Sequence, residues 1–566
     1  MSTRRTARIV TALAAVALVA AGCSDGGSDG GGSGDGSTDS GRGDAVLTVG
    51  MPNGTLSENQ NPLAPTGSAA KSLGYAWVIY ESLMQVNDLH PLEDPTPWLA
   101  ESVTWNDDYT VAEIVARDGV KWSDGEDFTA EDIAFTFNLL LDFEALNADF
   151  PGQLESATAE GDTATITFNR GQYVNQVKLN RTVIVPEHIW ADVEDPVTFT
   201  NTEPVGTGPY LLESWTPQAA TLTANPDYWG GDPAVPTIQY SSYNDNNSLI
   251  TALTTGECQW GWTFIADYEN VFIAQDPDHY HQVAGGGFGV DVLFLNNETK
   301  PFDDVAFRQA LNMSIDRSQI SRLAGSGVWP AITSVTGMPM PSGEDYLAAE
   351  FEGEEYAVDV DGAKALLEDA GYTWDDSGAL VDPDGEHVSF ELVNPAGWND
   401  YLTALDLIKQ SAESLGATAS VNAANQDAWF NDIIPFGNFQ ATLHWTDSGA
   451  TPWNMYSNMM DGAQYVPLGE TASWNFGRYD NDEVTAALAQ FAGASDDASR
   501  QEAIETVQRH YVEDVPALVI WARPAVAQYS TVNYTGFPTD EDPYANPQPT
   551  GPQAAQIVMK LQPTQD

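Results

Sequence analysis

From about residue 45 the chain alternates short β-rich runs with amphipathic helical runs, and that alternation points its body to an α/β architecture. Ala45-Val46-Leu47-Thr48-Val49-Gly50 opens the body as a strand, and Tyr109 to Arg117 reads as another, ending in the turn dipeptide Asp118-Gly119. Thr129-Ala130-Glu131-Asp132 predicts a helix start, with an acidic residue placed to reach back to the first backbone N–H. Apolar residues recurring at about 3.6 positions predict helices over 304–313, 362–370, 401–415 and 482–492. No short-period repeat interrupts this order. With 566 residues, and roughly 100–200 residues per domain, two to four structural units are expected.

Charge narrows the function. The chain holds 82 Asp and Glu against 21 Lys and Arg, a net charge of −61, yet 42% of it is hydrophobic and it has 17 Trp, which argues for a packed body. Such a surface repels nucleic-acid phosphates and anionic lipid headgroups, so membrane attachment needs an anchor. The N-terminus supplies one. Arg4, Arg5 and Arg8 precede an apolar stretch from Ile9 to Ala21, too short to span a bilayer and fitting a signal peptide over residues 1–22. Val19-Ala20-Ala21-Gly22-Cys23 resembles a bacterial lipoprotein processing site, which implies lipidation of Cys23. Residues 23–44 are almost entirely Gly, Ser and Asp, the composition of a flexible tether. The acidity lies beyond the tether, where 77 of the acidic and 17 of the basic residues fall.

Several motifs, read in order, resemble the large extracellular solute-binding proteins of peptide- and nickel-type ABC importers, solute-binding family 5. They are Tyr80-Glu81-Ser82-Leu83, Leu99-Ala100-Glu101-Ser102, the run Arg117 to Gly125, Thr129 to Asp132, Gly206-Thr207-Gly208-Pro209-Tyr210 and Asn225 to Gly230. Pro301 to Asp304, Arg308 to Leu311, Ile315-Asp316-Arg317 and Ala363 to Leu367 follow in the second half. The resemblance implies a two-lobed, periplasmic-binding-protein-like α/β fold with a subdomain inserted in the first lobe and a hinge of crossing strands. The first lobe is expected over 45–286, the second over 287–515, and a return segment over 516–566. Val290 to Leu295 and Ala517 to Ala522 are the strands expected at the crossing. The implied partners are a small oligomeric solute and an ABC permease. The implied place is the outer face of the cytoplasmic membrane, with a monomeric receptor held there by lipid.

The candidate ligand residues are Trp398, Trp445, Asp447, Trp453 and Tyr456, because aromatic faces suit sugar rings and apolar side chains alike. Asp447 stands near the place where peptide-binding relatives carry an aspartate that pairs with a free amine, but one residue short in its spacing from Trp445, and no arginine precedes it. Gly397-Trp398, the run Thr451 to Tyr456 and the ending Gly536-Phe537-Pro538 with Asp542-Pro543-Tyr544 resemble oligosaccharide-binding members instead. Peptide and oligosaccharide therefore both stand as solutes. Core packing is the competing account of each Trp.

Enzymatic and metal readings find little support. No HExxH, phosphate loop or GxSxG elbow occurs, so neither an enzyme nor a cofactor is expected. A secreted oligosaccharide hydrolase and a nickel or haem receptor remain the alternatives, the latter resting on His279 and His281, which a strand would point to one side. Cys258 reads as a buried free thiol. Arg308 reads as an ion-pairing residue rather than a substrate clamp.

Overall fold

The computed structural model describes residues 45–565 except residue 92. The expected signal peptide, the expected lipid site Cys23 and the expected tether lie outside the described residues.

Three sheets organise the body. A seven-stranded mixed sheet runs, edge to edge, through Tyr280–Gly285, Ala525–Ser530, Trp260–Gly261, Leu47–Met51, Thr237–Ser242, Ala219–Ala224 and Tyr210–Thr216. A four-stranded antiparallel sheet, Ala100–Trp105, Val111–Ala116, Thr163–Phe168 and Leu154–Glu160, forms within the loop of chain between the first two of these strands in sequence. The five-stranded sheet is built from Thr418–Ala424, Ser389–Pro395, Ala441–Trp445, Val290–Leu295 and Ala517–Ala522.

Local chemistry explains the helices beside them. The helix Ala130–Asp142 begins where Asp132 accepts the Thr129 N–H at 2.9 Å, and the same carboxylate takes the Glu187 N–H at 2.9 Å, tying the helix start to a distant turn. Asp304 caps Val305–Ser314 through the Ala306 N–H at 2.9 Å, and Asn481 caps Asp482–Gly493. Helix Asn399–Ser414 turns Tyr401, Ala404, Leu405, Ile408 and Ala412 into the core against the five-stranded sheet. No helix among the described residues is long and apolar enough to cross a membrane.

The strands Val290–Leu295 and Ala517–Ala522 fall where the sequence placed them, but neither crosses between sheets. They pair with each other, antiparallel, inside the five-stranded sheet. The passage between the two larger sheets is made by residues 286–289 and 523–524. The return to the seven-stranded sheet thus starts after Ala522 rather than at 516, because strand Ala517–Ala522 is committed to Val290–Leu295. Arg308 also departs from expectation. It is buried and donates to the carbonyls of Phe302, Asp514 and Val515 at 2.7–3.1 Å, so it fixes a helix end through backbone oxygens rather than through an ion pair.

The loop at Gly206-Thr207-Gly208 lies directly on the backbone of Val78 and Ile79, so a Cβ at either glycine would overlap their carbonyls. Beside it sits Glu81, fully buried, accepting from Trp98 Nε1 at 2.7 Å, Tyr228 Oη at 2.6 Å and Trp229 Nε1 at 2.9 Å. Two of the recognisable motifs therefore meet at one buried carboxylate. Burial pushes its carboxyl up to about 7, against the lowering effect of those donors.

Candidate functional site

Strand Val290–Leu295 is apolar except for Asp291, and the pairing register sets Asp291 opposite Trp445 on one side and Trp521 on the other. A register shift between Asp291 and Val292 marks an irregularity that re-aims the side chain. Asp291 is 2% exposed and takes donors from Tyr401 Oη at 2.7 Å and from Trp521 Nε1. Arg523 Nη1 lies 3.4 Å from its other face. Buried charge is tolerated here because every oxygen has a donor. Arg523 also lies 4.6 Å over the ring of Trp445, and the neighbouring Asp291 holds its guanidinium above the usual range despite desolvation.

Two cavities open on either side of Trp445 and Arg523, which line both. The first, about 340 Å³, takes Met51, Asn53, Trp262, Phe264 and Trp329 from the part of the chain that carries the seven-stranded sheet, and Asp291, Trp398, Asp400, Tyr401, Gln426 and Phe430 from the part that carries the five-stranded sheet. The second, about 260 Å³, is more polar and includes Asp88, Arg181, Thr446, Asp447, Ser448 and the glycines of the 286–289 passage. A third space of about 280 Å³ continues beyond Pro91 and Val177 toward Trp105, Tyr173 and Thr451. The second shares Trp445 and Arg523 with the first, and Pro91 and Val177 with the third.

Trp398 belongs to this wall. It meets Tyr401, Trp429 and Phe430 edge-on at 5.3–5.8 Å and Trp445 at 6.1 Å. Trp445 is engaged by His444, stacked at 4.0 Å, as well as by Arg523. His444 is buried, and desolvation drops its imidazole to about 3, so it acts as a neutral ring in the stack. Asp447 lines the polar cavity. Burial raises its carboxyl, opposed by the charge of Lys178, and no hydrogen bond from a described residue reaches its carboxylate. Asp88 and Arg181, also in that wall, pair with each other.

Trp453 and Tyr456 are placed elsewhere. Tyr456 is wholly buried in the core behind the sheet and donates to the Thr336 carbonyl at 2.7 Å. Trp453 packs on the same core and donates to the Leu488 carbonyl at 2.9 Å. Both lie on helix Trp453–Met460, whose buried side includes Met455, Met459 and Met460, so the run of aromatic residues that suggested a ligand site serves packing from Trp453 onward.

His279 is held by Asp276 at 2.9 Å, while His281 lies against Tyr529. Among the described residues no three His, Cys, Asp or Glu side chains meet as metal ligands would. Cys258 is a buried free thiol, raised to about 12 by burial.

Asp291, Arg523, Trp262 and Trp329 were not among the expected site residues. An aspartate within Val290-Asp291-Val292-Leu293-Phe294-Leu295 was the available signal, since a lone charge in an apolar strand requires a buried partner. Arg523 offered none, because its meaning depends on the distant strand it faces.

Relatives and solved structures place this geometry. A Brucella ovis protein whose name assigns it to peptide binding for an ABC transporter is 30% identical over 336 residues, covering 57% of this chain and 59% of that protein. This chain thus spans under two thirds of the length of the Brucella relatives it matches. Oligopeptide-binding protein AppA of Bacillus subtilis is 24% identical over 438 residues, 74% of this chain and 76% of AppA. Its structure with a nonapeptide superposes with a TM-score of 0.74 at 20% identity, over 92% of this chain and 99% of AppA. A periplasmic oligopeptide-binding protein of Thermotoga maritima, crystallised with mannohexaose, gives a TM-score of 0.80 at 23% identity, over 92% of this chain and 99% of that one. These are two-lobed binding-protein folds, and the present chain shares that fold. The family model for bacterial extracellular solute-binding proteins, family 5, matches residues 94–466. The chain belongs to the bacterial extracellular solute-binding proteins of family 5.

Proposed function

We propose that this chain is the receptor of an ABC importer, that it captures a short oligosaccharide between its two lobes, and that it delivers the solute to the permease without chemical change. The observation that carries the choice of solute is the aromatic wall of the larger cavity. Trp262, Trp329, Trp398 and Phe430 surround a space edged by Asp400, Asn53 and Gln426. Aromatic faces against the apolar sides of sugar rings, with carboxylate and amide groups for the hydroxyls, are the chemistry that a carbohydrate needs. Three cavities that share lining residues suit an oligomer better than a single ring.

Capture works by closure. The lobes turn about the passages at 286–289 and 523–524, and a solute that contacts both favours the closed state by its differential affinity. The lobes divide near these passages, at 45–286 and 287–522, with the remainder returning to the first. Cys23 carries the lipid, and residues 23–44 hold the body off the outer face of the membrane.

A short peptide is the second reading, favoured by Asp447, whose carboxylate takes no hydrogen bond from a described residue and lines the polar cavity, where it could accept an ammonium group. Titration of the protein with manno- and cello-oligosaccharides and with di- to pentapeptides separates the two. Saturable binding of a sugar series with recovery of the intact sugar supports the first reading. Binding of peptides alone replaces it with the second, and turnover of a glycoside contradicts both.

A further inference from the structure

Two aromatic contacts cross from lobe to lobe away from the passages at 286–289 and 523–524. In the first, Trp329 of the second lobe is 3% exposed and seats against two rings of the first, Trp262 edge-on at 5.7 Å and Phe264 stacked at 6.3 Å. Beside them the Asp267 N–H donates to Ser326 Oγ at 3.4 Å. In the second, the ring of Tyr173, which follows the inserted four-stranded sheet, lies under the Arg500 guanidinium at 3.8 Å and edge-on to Phe491 at 6.2 Å. Tyr173 and Val174 thereby pack on the buried cluster to which helices Asp482–Gly493 and Asp497–Asp514 contribute. Trp329 lines the larger cavity and Tyr173 the third, so one contact adjoins each.

Both sides of each contact are fixed to their own lobe. Gln528, on strand Ala525–Ser530 of the seven-stranded sheet, accepts the Thr263 N–H at 3.1 Å and donates to the Thr263 carbonyl at 3.0 Å, which holds the segment of Trp262 and Phe264. The Trp329 carbonyl accepts from Ser321 Oγ at 2.6 Å and the Pro330 carbonyl from the Ala522 N–H at 2.8 Å, which ties Trp329 to the five-stranded sheet. Tyr173 stands edge-on to Tyr109 at 5.3 Å, and the Gln172 N–H donates to the Tyr109 carbonyl at 2.8 Å. Arg500 is held by the Ala494 carbonyl and the Asp497 carboxylate. Opening the lobes therefore pulls Trp329 and Tyr173 from their seats and exposes aromatic surface to water. That cost is paid between protein groups alone, so it opposes opening whether the cleft is filled or not. We infer that these two contacts are clasps that keep most of the receptor closed before a solute arrives, so that the solute meets a binding arrangement already populated. The inference rests on the lobes dividing at the passages and is independent of which solute binds.

The intact protein is freed of copurified solute by unfolding in guanidinium and refolding, and small-angle X-ray scattering then reads its ratio of closed to open molecules. The unaltered protein is expected to scatter mainly as the closed arrangement. Tyr173→Ala and Phe264→Ala should each lower the closed-to-open ratio about fivefold or more, seen as a larger radius of gyration. The double variant should be mainly open. Tyr173→Phe, which keeps the ring under Arg500, should scatter as the unaltered protein does. An unaltered protein that is mainly open without solute overturns the inference, a result that needs no variant to fold. A double variant as closed as the unaltered protein overturns it too. Neither result touches the receptor reading, which the solute titrations test separately.

Discussion

Arg523 and Asp291 face each other at 3.4 Å, and each stands beside one of the two passages of chain between the larger sheets. The pair therefore joins these passages to the walls of the cavities, Arg523 lining both and Asp291 the larger. Removing the guanidinium leaves Asp291 charged in a site 2% exposed, with Tyr401 and Trp521 as its remaining side-chain donors among the described residues. Arg523→Ala is expected to lower unfolding free energy by about 2–3 kcal/mol, less than a fully buried pair because the arginine is partly exposed. Affinity for the solute should fall about tenfold or more in the same variant. Urea denaturation and calorimetric titration check the two effects. A stable variant with unchanged affinity contradicts the assigned role.

Trp398 and Tyr456 were equal candidates in the sequence and differ in the structure. Trp398→Ala removes an aromatic face from the cavity and should weaken solute binding by about 2 kcal/mol, roughly 30-fold. Tyr456→Phe loses only the hydrogen bond to the Thr336 carbonyl. It should cost about 1 kcal/mol of stability, with affinity unchanged. Reversal of these two outcomes would return Tyr456 to the solute site.

This contrast shows how far the sequence could be read. Strand and helix positions were legible where periodicity and caps agree, as at Val290 to Leu295 and at Thr129 to Asp132. Lobe membership of Ala517 to Ala522 was not, because pairing with Val290–Leu295 is a contact across more than two hundred residues. The lining of the cavities was legible in part. Trp398, Trp445 and Asp447 come from two local motifs and do line the cavities. Asp400 sits two residues from Trp398, yet its importance depends on Asp291 and Arg523, which only folding brings near. Trp453 and Tyr456 pack into the core instead, and an aromatic run at a helix start has the same composition whether it faces a ligand or a core.

Glu81 gives stability a pH dependence of known sign. Its folded carboxyl is raised to about 7, so the native state binds a proton more readily than the unfolded chain. The stability it contributes is complete below about pH 4.5 and is lost as pH rises through about 7. Comparison of wild type with Glu81→Gln should show the wild-type advantage shrinking over that window. An advantage that grows with pH contradicts the assignment. At any pH the variant should be the less stable, since its amide turns donors toward the indole and phenol donors already there.

The charge of −61 should make the protein more stable as salt is added. Screening shortens from roughly 30 Å at 10 mM to about 3 Å at 1 M salt and removes self-repulsion. Thermal unfolding recorded across that range should show a midpoint rising with salt. A flat response means that the acidic groups are too well spread to matter.

The central claim is that an aromatic cleft between two lobes captures a short oligosaccharide intact. Calorimetric titration of the protein with a series of manno- and cello-oligosaccharides, followed by chromatography of the recovered sugar, tests it most directly. One-to-one saturable binding, lost in Trp398→Ala and with the sugar recovered unchanged, is the predicted result. Absence of binding across the series, or release of shorter sugars, would contradict it.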